Sequence, residues 1–231
     1  MPVNNELLAR GLAELALALP ADAIARLGCY VDAVESWNPA YGLVGASGDE
    51  LVIKHILDSL APLAIIDRVL ANTVMSGAGL PEKRPTLVDL GTGAGLPGIP
   101  LAIARPGFDV TLLDRMTRRI HFLEAMKSEL PLDNVAIVEQ QVEHARGSYD
   151  IVTFRAFRPF ERKLFKRVFA ACAGGGSVVA YKGKADKAQA ELVELEGLYS
   201  SVEIIPVKVP FLDDERCVVV MKAARRASGT G

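Results

Sequence analysis

Residues 87–100 read LVDLGTGAGLPGIP, and this stretch decides the fold. An apolar run that suits a strand breaks into Gly91, Gly93 and Gly95 at alternate positions, with Gly98 just beyond. Glycines so spaced mark a sharp strand-to-helix turn, where a side chain blocks both the turn and the approach of a ligand to the backbone. Pro97 and Pro100 suit the first turn of the following helix, where a missing N–H costs little.

Outward from the turn, β-rich runs alternate with helical patterns: Thr86–Leu90, Asp109–Leu113, Val135–Val138, Asp150–Phe154, Ser177–Tyr181, Val202–Ile205 and Arg216–Met221. Such alternation predicts crossover connections and a mainly parallel seven-stranded sheet covered on both faces, an α/β Rossmann-like fold. No helical pattern separates the last two runs, so they are expected to pair as a hairpin. Upstream, Leu7, Leu8, Leu12, Leu15 and Leu19 recur at helical spacing up to Pro20. Asp22 is a candidate cap for a second helix through Ile24, Leu27, Val31 and Val34 to Trp37. Asn38 to Gly48 reads as a loop, Glu50 to Leu60 as a third helix, with further helix before Gly77. The expected organisation is an N-terminal helical extension over 1–80, a Rossmann-like core over 81–222 and a flexible tail over 223–231.

With 231 residues, half of them apolar, the chain buries a core without covalent staples. Cys29, Cys172 and Cys217 are scattered and form no ligand-spaced cluster, which argues against disulfides and zinc and for a reducing cytoplasm. No run is apolar enough to span a membrane. Arg10 and Glu14 interrupt the Leu7–Leu19 stretch, which therefore reads as an amphipathic helix rather than a signal peptide. Net charge is only −2, but between Arg155 and Arg167 six bases face one acid. A local basic face of this kind is either solvated or binds polyanions.

Two ligand classes use such glycine turns. Gly93, Gly95 and Gly98 satisfy a dinucleotide GxGxxG formally, yet the first glycine after the strand is Gly91, and Leu96 then holds the third glycine position. Asp89 also sits where dinucleotide folds have an apolar residue. The pattern D-x-G-x-G-x-G resembles instead the first motif of Rossmann-like methyltransferases. There the turn lies against the methionine and ribose of S-adenosylmethionine, and no diphosphate needs an anion site. Asp114, roughly 20 residues on, is placed to grip ribose hydroxyls or to cap the next helix. After the third strand, Val142 and Glu143 would flank adenine, or Glu143 is an ordinary helix-start acid.

Several segments together resemble one family, the small-subunit ribosomal RNA guanine-N7 methyltransferases called RsmG, also known as glucose-inhibited division protein B. They are WNPAYGL (37–43), KHILDSL (54–60), DLGTGAGLPGIPLAI (89–103), LLD (112–114), RAF (155–157) and YKG (181–183). The resemblance covers about Tyr30 to Lys222 and departs from the family at Gly42, where Asn is usual. It implies a methyltransferase that acts on one guanine N7 of the small ribosomal subunit RNA. It also implies a cofactor cleft of Gly91, Gly93, Gly95, Leu96, Asp114, Val142 and Glu143, with Arg155 facing cofactor and substrate as the catalytic positioning residue. With no metal and no membrane association, the expected enzyme is a cytoplasmic monomer.

The chemistry suits the residues. Guanine N7 carries a lone pair and no proton, so a site that aligns reactants needs no general base. Arg155 either donates to guanine O6 or phosphate or pairs with Asp150 or Glu143. Phe157 is a stacking aromatic or a core one, and His55 reads as structural. Arg118, Arg119, Arg158, Lys163, Lys182 and Lys184, from segments after strands two, four and five, are the expected RNA-contacting rim. Two other readings stay open: a methyltransferase of the same fold acting on a protein or small molecule, and an inactive cofactor-binding ribosome assembly factor.

Overall fold

A computed structural model describes residues 5–76, 83–155 and 160–224 of the chain, with backbone only over 73–76. Helices α1 (Asn5–Glu14) and α2 (Ala21–Tyr41) lead into α3, residues 49–60, and α4 (Leu63–Ser76). Next come β1 (Thr86–Leu90), α5 (Gly98–Ala104), β2 (Asp109–Asp114), α6 (Thr117–Glu129), β3 (Val135–Glu139) and β4 (Tyr149–Arg155). The chain continues through α7 (Arg162–Ala170), β5 (Cys172–Lys182), α8 (Ala185–Leu192), β6 (Tyr199–Val207) and β7 (Arg216–Ala223). The seven strands form one sheet in the order β3-β2-β1-β4-β5-β7-β6. Strands β1 to β5 pair in parallel, and β7 runs antiparallel to both its neighbours. The expected fold class and the final hairpin are both present.

Alternation along the strands builds two apolar layers. Leu87, Leu112, Ile151, Val179 and Val218 face one way, onto the N-terminal helices through Leu12, Leu27, Val31, Ile56 and Leu60. Val88, Leu113, Val152, Val178 and Val219 face the other, onto Leu164, Phe165 and Val168 of α7 and Leu192 of α8. Each such side chain contributes roughly 1.5–3 kcal/mol when removed from water, so the N-terminal helices and the sheet share one continuous core.

Boundaries differ from the periodic reading where hydrogen bonds overrule it. The first helix ends at Glu14 rather than Leu19: Ala16 turns left-handed, its N–H reaches Ala13 O, and Leu17 N–H reaches Leu12 O, which closes a Schellman cap. Pro20, not Asp22, caps α2, and Asp22 pairs with Arg26 one turn on. Helix α2 runs on through Pro39, expected to be loop, because Asn38 holds the residues just beyond the helix end. Its Oδ1 accepts from Leu43 N–H (2.7 Å) and Val44 N–H (3.0 Å), and its Nδ2 donates to Val44 O (2.9 Å). Gly42 ends the helix in the left-handed region, with open space where a Cβ would stand. Asn is the other residue that tolerates this conformation, so the glycine is a conformational equivalent of the family's usual Asn. Residues 77–82, at the junction of the expected extension and core, and the 225–231 part of the tail lie outside the described residues.

Asn38→Ala removes all three bonds of this loop and is expected to destabilise the protein by about 1–3 kcal/mol in urea unfolding. No measurable loss would show that the loop closes without it.

Candidate active site

The parallel strands deliver their carboxyl ends to one edge, and the order reverses between β1 and β4, where open α/β sheets bind ligands. At that point Gly91, Gly93 and Gly95 take φ of 69°, 62° and 93°, a region in which other residues are strained. Asp89 holds the turn from below. It is fully buried, and its Oδ2 accepts from Thr92 Oγ1 (2.6 Å) and from Gly98 N–H (2.8 Å). Burial pushes its carboxyl up to about 6, against the pull of those two bonds. From above, buried Tyr30 of α2 donates its hydroxyl to Ala94 O (2.6 Å). Leu96 is buried in the apolar layer beside Ile99.

Asp114, at the end of β2, reaches across to the turn. Its Oδ2 accepts from Gly93 N–H (2.9 Å) and Arg119 Nη1 (3.1 Å), and its Oδ1 from Met116 N–H (3.0 Å). The bond to Met116 lies at the start of α6, so the capping role anticipated as an alternative coexists with the reach to the turn. Gln140 N–H donates to Asp114 O (2.9 Å) and ties the end of β3 beside it. There Val142 is half-buried and Glu143 exposed in a short 3-10 turn.

These residues fit S-adenosylmethionine better than a dinucleotide. Gly93 offers open space above its Cα. The helix start that would take a diphosphate is already occupied by the Asp89 carboxylate on Gly98 N–H, and the turn carries no cation.

Arg155 ends β4, next to β1, and its side chain is 14% exposed. It pairs with neither Asp150 nor Glu143. Asp150 instead accepts from Thr86 N–H and Oγ1 at the far end of the strand. The Arg155 partners come from α3, whose middle, Val52–Leu57, is a π-turn. Nη1 donates to Lys54 O (3.1 Å), His55 O (3.4 Å) and Asp58 Oδ2 (2.8 Å), and Nη2 meets His55 Nδ1 at 2.9 Å. A guanidinium cannot accept, so Nδ1 must, which places the proton of the neutral ring on Nε2. Burial, the Arg155 charge and then Lys54 together lower the His55 ring to about 4. Asp58 also accepts from Arg216 Nε through Oδ1 (3.1 Å), and Tyr181 donates to Ser59 O (2.8 Å). Asp58, Tyr30 and Arg216 escaped the sequence reading. An acid inside the apolar HILDSL helix was the one available signal, and the π-turn defeats the spacing rule that would have aimed it.

The predicted rim is divided. Arg118, Lys163 and Lys184 are exposed, as are Lys166 and Arg167 of α7. Arg119 is committed to Asp114. Lys182 is paired with Glu191 and lies 4.0 Å over the Phe160 ring, so its ammonium faces the protein. Arg158 and Phe157 fall outside the described residues. Among the described residues no group of three or more His, Cys, Asp or Glu is placed to hold a metal, and no helix is long and apolar enough to cross a membrane.

The sheet order, the glycine turn and Asp114 define the class, a Rossmann-like S-adenosylmethionine-dependent methyltransferase. Solved structures of that fold agree. Magnesium protoporphyrin IX methyltransferase from Synechocystis PCC 6803, determined with S-adenosylmethionine bound, superposes with a TM-score of 0.52 at 17% identity, over 89% of this chain and 99% of that one. An rRNA methylase from Streptococcus thermophilus gives 0.51 at 13% identity, over 71% and 97%. Residues 23–219 match the GidB family, described as rRNA small subunit methyltransferase G, and the chain belongs to that family. Proteins named ribosomal RNA small subunit methyltransferase G are 34% identical in Cronobacter sakazakii (94% of this chain, 98% of the relative) and 36% identical in Klebsiella pneumoniae (93% and 96%).

A lowered histidine pKa gives stability that is present above the unfolded value of 6.5 and is lost as pH falls towards the folded value of about 4. His55 is expected to remain neutral, protonated on Nε2, down to about pH 5 in nitrogen-detected NMR. In Arg155→Ala its pKa is expected to rise. A ring that already protonates above pH 6 in the wild type would contradict the contact.

Proposed function

We propose that the protein transfers the methyl group of S-adenosylmethionine to N7 of one guanine in small-subunit (16S) ribosomal RNA. The membership of residues 23–219 in a family described as rRNA small subunit methyltransferase G carries the substrate assignment. The geometry of the carboxyl edge supports the chemistry.

S-adenosylmethionine supplies an electrophilic methyl group on a sulfonium. In this reading Gly91, Gly93, Gly95 and Leu96 shape the cofactor seat, Asp114 accepts from the ribose hydroxyls, and Val142 and Glu143 flank the adenine. Arg155 holds the acceptor at the border of that seat. Its guanidinium stays charged and donates to O6 or phosphate while N7 keeps its lone pair. The titratable groups nearby suit an acceptor that needs no base. Asp89 is committed to the turn. Asp114 already accepts three N–H donors and keeps its remaining lone-pair capacity for the ribose. The Nδ1 lone pair of His55 is taken by Arg155. Alignment and desolvation then carry the rate.

Exposed Arg118, Lys163 and Lys184, with Arg158 in the adjoining segment, would meet RNA phosphates and give salt-dependent affinity without sequence choice. Arg119 and Lys182 would join only after exchanging their partners within the protein. The large exposed apolar residues among those described are Val193 and Phe211, far short of an association patch, and the three cysteines are free thiols. Both features favour a cytoplasmic monomer.

The test supplies S-adenosylmethionine with a labelled methyl group to the protein, with small subunits that lack the modification and, separately, with their stripped RNA. The expected result is label on a single guanine N7, lowered at least about tenfold in Arg155→Ala. No label on any RNA, with cofactor binding intact, would contradict the assignment.

A further inference from the structure

A cavity of 480 Å³ opens beside the glycine turn rather than on it. Its lining comes from the ends of β4, β5 and β6 and the start of β7, through Arg155, Tyr181, Val207 and Arg216, and from residues 45–62 above them. The turn, Asp114 and Val142 belong instead to the ends of β1, β2 and β3. Arg155 stands between the two groups, because β4 lies between β1 and β5. The edge of the sheet therefore offers two sites that meet at one guanidinium.

The volume falls in the range of small-molecule sites, about 300–1,000 Å³. The walls combine apolar surface from Ala46, Pro62 and Val218 with Arg155, Arg216 and the Lys54–Glu50 ion pair (2.6 Å). That combination suits a flat base carrying acceptor atoms and an anionic phosphate. Asp58 organises it. Its side chain is 8% exposed, one carboxylate oxygen takes Arg155 and the other takes Arg216. The same helix adds Lys54 O, His55 O and His55 Nδ1 on Arg155. One carboxylate thus fixes two guanidiniums in the lining of one cavity, and Arg216 has a second, exposed partner in Asp214 at 3.7 Å.

We propose that this cavity receives the purine nucleotide to be methylated, and that Asp58 is the positioning residue that sets Arg155 and Arg216 around it. The inference rests on the proposed function and names the acceptor side of that site. Asp58 lines the cavity too, but its two oxygens are taken by Arg155 and Arg216, so it acts through the two arginines.

The test uses the full-length protein with labelled S-adenosylmethionine and small subunits lacking the modification. Gly183 lines the cavity, and a Cβ added there meets nothing closer than Glu215 O at 3.9 Å, so a side chain can start there; Gly183→Leu is used with its melting temperature checked against the wild type. This variant is expected to bind S-adenosylmethionine within about twofold of the wild type by calorimetry and to lose at least about tenfold in kcat/KM for the subunit. Asp58→Asn is expected to lose at least about tenfold in kcat with a smaller change in KM, and Asp58→Glu to recover part of that loss. Wild-type kcat/KM in Gly183→Leu would overturn the pocket. An Asp58→Asn protein with a lowered melting temperature but wild-type kcat would overturn the positioning role. A wild type that labels no RNA overturns the proposed function, and the acceptor pocket with it.

Discussion

A carboxylate with no exposure to water holds the functional edge together. Asp89 binds the hydroxyl of Thr92 and the N–H of Gly98 with a single oxygen, and so joins strand, turn and helix at one atom. Its other oxygen is buried with no hydrogen-bond partner among the described residues. The cost of that burial is visible in a carboxyl pushed up to about 6. Three closely spaced left-handed glycine positions would have many alternatives without such an anchor. With it, Gly93 is held where Asp114 can reach its N–H from the neighbouring strand. The same carboxylate fills the helix-start position that a diphosphate would need, so one buried acid both shapes the site and narrows the ligands it takes.

The rest of the edge is organised from the N-terminal helices. Their apolar faces cover one side of the sheet, and their polar groups reach over its rim: Tyr30 to the turn, His55 and Asp58 to Arg155, and the Ser59 carbonyl to Tyr181. The π-turn at 52–57 widens the helix where the backbone carbonyls of Lys54 and His55 face Arg155. Such turns recur at functional sites. A helical segment that reads as an appendage in sequence therefore supplies part of the candidate site's rim.

Legibility in the sequence followed the range of the interaction involved. Strand positions were readable because alternation of apolar residues is local, and β1 begins and ends where the pattern places it. The glycine turn and Asp114 were readable because their residue types are dictated by backbone conformation and hydrogen-bond chemistry. The Arg155 partners were not, since Asp58 is 97 residues away and nothing local marks the contact. Lys182 looked like a surface cation at a strand end, yet Glu191 and the Phe160 ring, both outside its own strand, turn it inward. Helix ends were misplaced where one side chain or one left-handed residue decides them, as Asn38 and Ala16 do. The exchange of the family's Asn for Gly42 became intelligible only with its φ.

In the proposed function, Asp114 and the glycine turn together seat the methyl donor. Calorimetric titration of S-adenosylmethionine into the wild type and Asp114→Asn tests that seat most directly, with NAD as the competing ligand. The expected result is one S-adenosylmethionine site per chain, an affinity lower by at least about tenfold in the variant, and no heat from NAD. Equal affinity in the two proteins, or preferential binding of NAD, would contradict it.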